Sequence, residues 1–298
     1  MRRDITAGKV IARVLKILIY ISLIVYCISL MVPIIWMIFT SFKGNIEYSQ
    51  NIFLWPKKWT LENFPSAYNK FKISVLSNNT ILSYDFFDMF SISVIWATGV
   101  AFLHVLLTTI VAYALSRYKF FGSEFLYLLG IFIMITPIIG SAPSMMVVRR
   151  SLGIYNNLLL MMLTTHSATF SGLHFMIMYA AFKGIPSSYS EAAQIDGAGH
   201  YDIMLKIMIP MMLPTCAVIF VLSFLTHWNE YGTFLIWLPG YPNLSYGIYL
   251  FQHDSVSYGA KITEIMAGFL VAIIPSMTLY LLSQKLINAK FTVGGLKG

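Results

Sequence analysis

Apolar residues along this chain come in long runs, not at the spacing of a half-exposed surface helix. Six runs carry no formal charge and are long enough to cross a bilayer: Ile17–Phe42, Met89–Ser116, Phe125–Val148, Ser151–Phe182, Ile207–Asn229 and Ile265–Gln284. A helix of about 20 residues spans the roughly 30 Å of hydrocarbon in a bilayer. The pattern therefore predicts an all-α integral membrane protein with six transmembrane helices. A seventh uncharged run, Tyr231–His253, contains Pro239, Gly240, Pro242, Asn243 and Gly247. Lipid-facing backbone does not tolerate that many breaks, so this run reads as an external loop or one that dips back toward a pore.

The polar stretches between the runs set the organisation. Residues 1–88 form an amino-terminal segment, a first helix and a long external loop. Residues 89–287 form a five-helix core, and 288–298 a carboxy-terminal tail. The long loop, Lys43 to Asp88, carries Trp55, Pro56, Trp59 and Pro65. Trp and Tyr favour the membrane–water boundary, which predicts a short interfacial helix there.

Composition agrees with lipid as the solvent. Mean hydropathy is +0.73 and only 11% of residues are charged, against about 25% in soluble domains. The net charge of +8 is scattered between apolar runs. No basic stripe interleaves with aromatics, so nucleic acid is not an expected partner. Cys27 and Cys216 lie inside apolar runs and read as packing residues. The amino terminus, with Arg2, Arg3, Lys9, Arg13 and Lys16, has the basic start of a signal peptide. Its apolar run is too long for one and lacks a small-residue cleavage site, so it reads as a retained helix. With six crossings both termini share a side. Twelve Lys and Arg then fall on that side and eight on the other, which predicts cytoplasmic termini, with Arg149 and Arg150 against the trend.

The most informative polar stretch runs from Gly184 to Pro210 and is cytoplasmic in this topology. Ser188 and Glu191 have capping-box spacing and predict a helix start. Ala192 and Ala193 are small helix formers, and Gly197 and Gly199 flank Ala198 and break the helix. A second short helix is expected from Tyr201 into the fifth run, with Pro210 in its first turns. Two short helices with a bend make a rigid knob suited to a partner's groove.

At these residues the chain resembles a known family. Glu191-Ala192-Ala193, then Gly197, Ile207 and Pro210, resemble the EAA signature of binding-protein-dependent ABC importer permeases, with Ile209 where Leu is usual. Asp196-Gly197-Ala198 is the form of the sugar-importing branch. Further likeness to its maltose-type (MalG-like) half lies in Ala112–Arg117 with Gly122, in Pro143 and Leu152-Gly153-Ile154 with Asn157, in Trp228-Asn229-Glu230-Tyr231, and in Gly294–Gly298. The likeness covers residues 90–298; before that it is one of layout only.

The resemblance implies an ABC importer type I permease fold in the bacterial cytoplasmic (inner) membrane, for a sugar, most simply an oligosaccharide. It implies that Glu191, Ala192, Ala193, Asp196, Gly197 and Ala198 form a coupling helix seated in a cytoplasmic ATPase. Gly294, Gly295 and Lys297 of the tail would touch the ATPases. Pro239, Gly240, Tyr241 and Pro242 would meet an extracytoplasmic sugar-binding protein. The implied partners are a second, homologous permease and two ATPase subunits. The chain has no Gly-rich Lys-Ser/Thr phosphate loop of its own, so it is not expected to be an enzyme, and ATP and Mg belong to the partners.

Several residues keep two readings. Thr164, Thr165, His166, Ser167, Thr169 and Ser171 are either a sugar-facing wall or helix–helix glue. Thr165, Thr169, Trp228, Asn229 and Glu230 are the candidate substrate path, although Glu230 reads equally as a solvated end group. His104, His166 and His174 are either a proton relay, which would fit an ion-coupled secondary transporter, or neutral hydrogen-bonding residues. Their spacing suits no metal.

Overall fold

The computed structural model describes residues 2–77, 80–136, 140–165, 169–253 and 259–291. The order of elements is α1 (Arg2–Ser41), α2 (Asn45–Gln50), α3 (Asn63–Lys70), β1 (Ile73–Ser77), β2 (Thr80–Tyr84), α4 (Phe86–Arg117), α5 (Ser123–Ile135), α6 (Ala142–Ser151), α7 (Leu158–Thr164), α8 (Leu173–Lys183), α9 (Ser188–Ile195), α10 (His200–Asp202), a π-helical segment (Ile203–Met208), α11 (Ile209–Trp228), α12 (Gly232–Ile236), α13 (Leu244–His253) and α14 (Ile262–Phe291). The chain divides into two compact units, one of residues up to 71 with 251–271, the other of 72–250 with 272 onward.

In the first unit α1 is exposed from Ala12 to Ile35 and apolar on every face from Ile17 onward within that stretch, as a helix bathed in lipid should be. Its end is held by a polar knot: buried Lys43 donates through Nζ to the carbonyls of Asn51 (2.9 Å) and Ile52 (3.2 Å), and Asn63 donates to those of Ser41 and Lys43. Phe39, Phe42, Trp55, Trp59 and Phe64 pack around it. The long loop thus contains two short helices instead of one. Glu264, at the start of α14, accepts from Lys70 (2.7 Å), Ser66 and the Lys261 amide.

The second unit begins with an antiparallel hairpin, Ile73 opposite Tyr84, so the expectation of an all-α chain is corrected by these two strands. Asp85 and Asp88 then exchange amide-to-carboxylate bonds of 3.0 Å, a capping box that starts α4. The helix α4 packs on α8 and α11. Ala97, Val100, Ala101 and Ala112 are fully buried on it, small side chains that let helices approach closely where lipid offers no hydrophobic contrast.

Four described helices are long and apolar enough to cross a membrane: Ala12–Ser41, Phe86–Arg117, His200–Trp228 and Ile262–Gln284. The third and fourth predicted runs are instead divided among α5, α6, α7 and α8. The breaks have local causes. Thr136, before a proline, is extended (φ −88°, ψ 110°). Gly153, Asn156 and Gly172 have positive φ of 68°, 55° and 92°, conformations that end a right-handed helix. The run Tyr231–His253 is likewise no plain loop, since it contains α12 and α13.

Candidate functional site: the α9 turn and the α12–α13 turn

The α9 turn follows from its sequence almost residue by residue. The chain leaves α8 through Gly184 and Pro186 and is already helical at Ser187 (φ −65°, ψ −24°), which caps α9 without a side-chain bond. The expected Ser188–Glu191 capping box is therefore not formed. A true N-cap needs extended backbone at the capping residue, and Ser188 lies inside the first turn.

At the other end the chain closes in a Schellman motif. Ala198 N–H reaches the Ala193 carbonyl at 2.9 Å, and Gly197 N–H reaches that of Gln194 at 3.0 Å, with Gly197 left-handed at φ +84°. Ala193 is buried in an apolar cluster and Ala198 packs against the same cluster, as the apolar side of such a cap does. This explains the spacing Ala193, Gly197, Ala198 physically. Gly199 starts α10, where Asp202 and Lys206 pair at 2.6 Å on the exposed surface. Pro210 has no N–H to give to the preceding turn, and the residues before it take the wider π-helical turns. The second helix therefore starts at His200 and runs on into α11.

Glu191, Ala192, Asp196 and Gly197 are exposed. So are large apolar and aromatic side chains of the same surface: Ile195 is 86% exposed, Tyr201 79%, Leu205 57% and Tyr189 50%.

The α12–α13 turn is built in the opposite way, from distant partners. The Gly240 amide donates to Asn156 Oδ1 (2.8 Å), its carbonyl accepts from the Tyr84 hydroxyl (2.9 Å), and the Asn156 amide donates to the Trp237 carbonyl (2.9 Å). Ser93 Oγ accepts from the Leu244 amide (2.8 Å), and Asn243, fully buried, donates to the Glu230 carbonyl and accepts from the Tyr246 amide. Arg149 stacks on the Trp237 ring at 4.2 Å. Pro239 and Tyr241 are half-buried, Gly240 and Pro242 buried.

Trp228 and Glu230 belong to this cluster. Trp228 is buried against Phe224 and Phe90, and its carbonyl accepts from Ser245. Glu230 accepts from His227 Nδ1 (3.1 Å) and from the Thr233 hydroxyl. Burial alone would raise its carboxyl, but these two bonds and the neighbouring imidazole outweigh that and hold it below the ordinary carboxylate value. Asn229 is exposed and bonds its own helix at Leu225. Thr165 likewise spends its hydroxyl on the Met161 carbonyl (2.6 Å), and Thr169 is half-buried. No described hydrogen bond joins either threonine to the Glu230 cluster. His104 Nε2 and His174 Nδ1 lie 3.1 Å apart. His166, Ser167, Gly294, Gly295 and Lys297 lie outside the described residues. Sequence reasoning missed Asn156, Ser93 and Asn243, whose only local signals were the Asn156–Asn157 pair before α7 and Asn243 after Pro242.

Comparison with known proteins decides the family. Residues 104–293 match the model for the binding-protein-dependent transport system inner membrane component. The chain belongs to that family. Among curated members it is 28% identical to the inner membrane ABC transporter permease protein YcjP of Escherichia coli (strain K12), across 94% of this chain and 95% of that one. It is also 28% identical to the arabinooligosaccharides transport system permease protein AraQ of Halalkalibacterium halodurans, across 89% and 91%. A crystal structure of a bacterial ABC transporter involved in the import of the acidic polysaccharide alginate has the same fold, with a TM-score of 0.74 over 92% of this chain and 96% of that one at 21% identity. In this permease the residues that resemble the EAA signature lie on the Schellman-closed α9 turn.

Proposed function

We propose that the chain is one permease subunit of an ABC importer for a sugar, most simply an oligosaccharide such as the related AraQ system is named for. It pairs with a second, homologous permease, receives sugar from an extracytoplasmic binding protein, and is driven by two separate ATPase subunits that bind ATP and Mg. In this reading both termini are cytoplasmic. The chain crosses the membrane six times, and the two crossings between α4 and α9 are made by the broken helices α5–α8. Broken helices are tolerated at membrane depth where neighbouring protein, not lipid, meets the freed backbone. α9 is the coupling helix, the tail at Gly294, Gly295 and Lys297 touches the ATPases, and the α12–α13 turn meets the binding protein. Nucleotide-driven approach of the ATPases then biases alternation between inward- and outward-open states.

The observation that carries the reading is the surface of α9, α10 and the π-helical segment that follows them. A rigidly closed turn presents Tyr189, Ile195, Tyr201 and Leu205 largely uncovered, and apolar patches rimmed by polar residues mark docking surfaces. Gly197→Pro tests it. Proline fixes φ near −65° and removes the amide that bonds Gln194. In liposomes with partner permease, ATPase and a binding protein exposed to a panel of neutral and acidic oligosaccharides, the variant should lose stimulated ATP hydrolysis. Normal uptake by the variant on an ion gradient without ATP would instead favour an ion-coupled carrier, and the His104–His174 pair would become the group to study.

A further inference from the structure

We propose that α4 is the lever through which the α9 turn moves the rest of the permease, and that Arg117 and Tyr118 are the positioning residues that join the two. The inference rests on the coupling reading of α9 and adds to it the element that receives the motion.

The geometry is specific. Arg117, in the last turn of α4, donates through Nη2 to the carbonyls of Phe182 (2.6 Å) and Ile185 (2.7 Å), the backbone by which the chain enters α9. Its Nε is buried without a partner among the described residues. Tyr118, the C-cap of α4, lies 3.5 Å through its hydroxyl from His200 Nδ1, with the rings 5.7 Å apart edge to face, where the chain leaves α9. Tyr113, one turn earlier, packs edge-on against Phe182 and lies 3.4 Å from the Tyr118 hydroxyl. The end of α4 thus grips the turn at both its entry and its exit. Between the two grips lies a cavity of about 210 Å³ lined by Arg117, Ser190, Glu191, Gln194 and His200. The middle of α9 has room to shift while its ends stay tied.

α4 is suited to carry such a shift. Of the four long described helices, α1 contains Pro33, α11 Pro214 and α14 Pro275, whereas α4 contains none. Sharp bends concentrate at proline, so α4 is the stiff one, about 48 Å long at 1.5 Å per residue. Its far end is closed by the Asp85–Asp88 capping box, next to Tyr84, which bonds the Gly240 carbonyl of the α12–α13 turn.

The test uses the full complex in liposomes with Mg and ATP as the only probe. Cys27 and Cys216 are replaced by serine, and a reporter cysteine is placed at exposed Ser83, just before α4. With Arg117 intact, ATP should change the rate of maleimide labelling at position 83. Arg117→Ala should shrink that nucleotide response about tenfold, the scale of ordinary intersite coupling, while the ATPase still co-purifies. Arg117→Lys, which keeps donors for both carbonyls, should restore most of it, and Tyr118→Phe should reduce it about threefold. A merely structural role would lower the thermal midpoint and leave the response of surviving complexes unchanged. Should Arg117→Ala not assemble, Tyr118→Phe decides by the same readout. A full response in Arg117→Ala or, in that event, in Tyr118→Phe overturns the lever and leaves the coupling reading intact. Failure of the unsubstituted complex to retain an ATPase overturns the coupling reading, and the lever with it.

Discussion

Two turns of the second unit meet opposite ends of α4 and use their backbone differently. The α12–α13 turn is bonded by Tyr84, Ser93 and Asn156, residues 156, 151 and 84 positions away in the chain. Most of its residues are buried. The α9 turn closes its carboxy-terminal end within itself, through the Schellman bonds of Ala198 and Gly197, and turns tyrosine and isoleucine side chains outward. The first is held in shape by other elements of the second unit. The second is a finished backbone with an unfinished surface, which is what a docking element requires: entropy of ordering is spent before the partner arrives, so less is lost on binding.

The sharpest way to break this contrast is at Asn243. It is fully buried and spends its amide on the Glu230 carbonyl and its oxygen on the Tyr246 amide. Asn243→Ala leaves both groups unpaired, at about 1–3 kcal/mol each. The expected outcome is a loss of about 3 kcal/mol or more in denaturant unfolding of the detergent-solubilised chain. Asn243→Asp keeps the acceptor for Tyr246 but buries a carboxyl against the Glu230 carbonyl, and should lose at least as much. If Asn243→Ala unfolds at the same denaturant concentration, the α12–α13 turn is not held by these bonds.

A smaller effect is expected at Gly197, where the backbone is left-handed at φ +84°. Alanine there costs about 1–2 kcal/mol and asparagine less. Because Gly197 itself is exposed and its bonds lie within the α9 turn, that strain should appear in docking at least as strongly as in unfolding. ATPase retained by the Gly197→Ala complex should fall up to about tenfold, 1.4 kcal/mol being a factor of ten, and Gly197→Asn should lie near the parent. Equal loss in both would mean that space, not φ, matters at this position.

The same contrast governs what the sequence discloses. The bend of α9 was legible because Ala193, Gly197 and Ala198 are sequence neighbours, and a helix C-cap is a local device. Its start was misread, since Pro186 delivers the chain already helical at Ser187, and nothing at Ser188 and Glu191 alone reveals that. The apolar runs named the solvent correctly but not helix continuity, which Thr136 before Pro137, Gly153, Asn156 and Gly172 decide. The order of the α12–α13 turn was hidden in principle: its bonds come from residues many tens of positions away, and proline and glycine next to asparagine look the same in a free loop as in a pinned one. Trp228 and Glu230 come together because they are near neighbours at one helix end, whereas joining Thr165 and Thr169 to them requires a contact no local pattern encodes.

The smallest expected effect concerns charge at the α12–α13 turn. The Glu230 carboxyl lies below its ordinary value of 4.5 because bonds from His227 and Thr233 favour the ionised form more than burial disfavours it. A carboxyl depressed by folding contributes stability that is complete above the ordinary value and is lost as pH falls through the lower, folded value. Between pH 7 and about 5 Glu230 should therefore leave the thermal midpoint of the parent chain flat, and below 4.5 its contribution should fade. Glu230→Gln keeps the shape and an acceptor but removes the charge, so it should start less stable at neutral pH, and the difference from the parent should close as the solution is acidified. Subtracting the two curves cancels the titration of every other carboxylate. If the difference instead widens as pH falls below 4.5, the carboxyl is raised, not lowered, and burial rather than the His227 and Thr233 bonds dominates that end of α11.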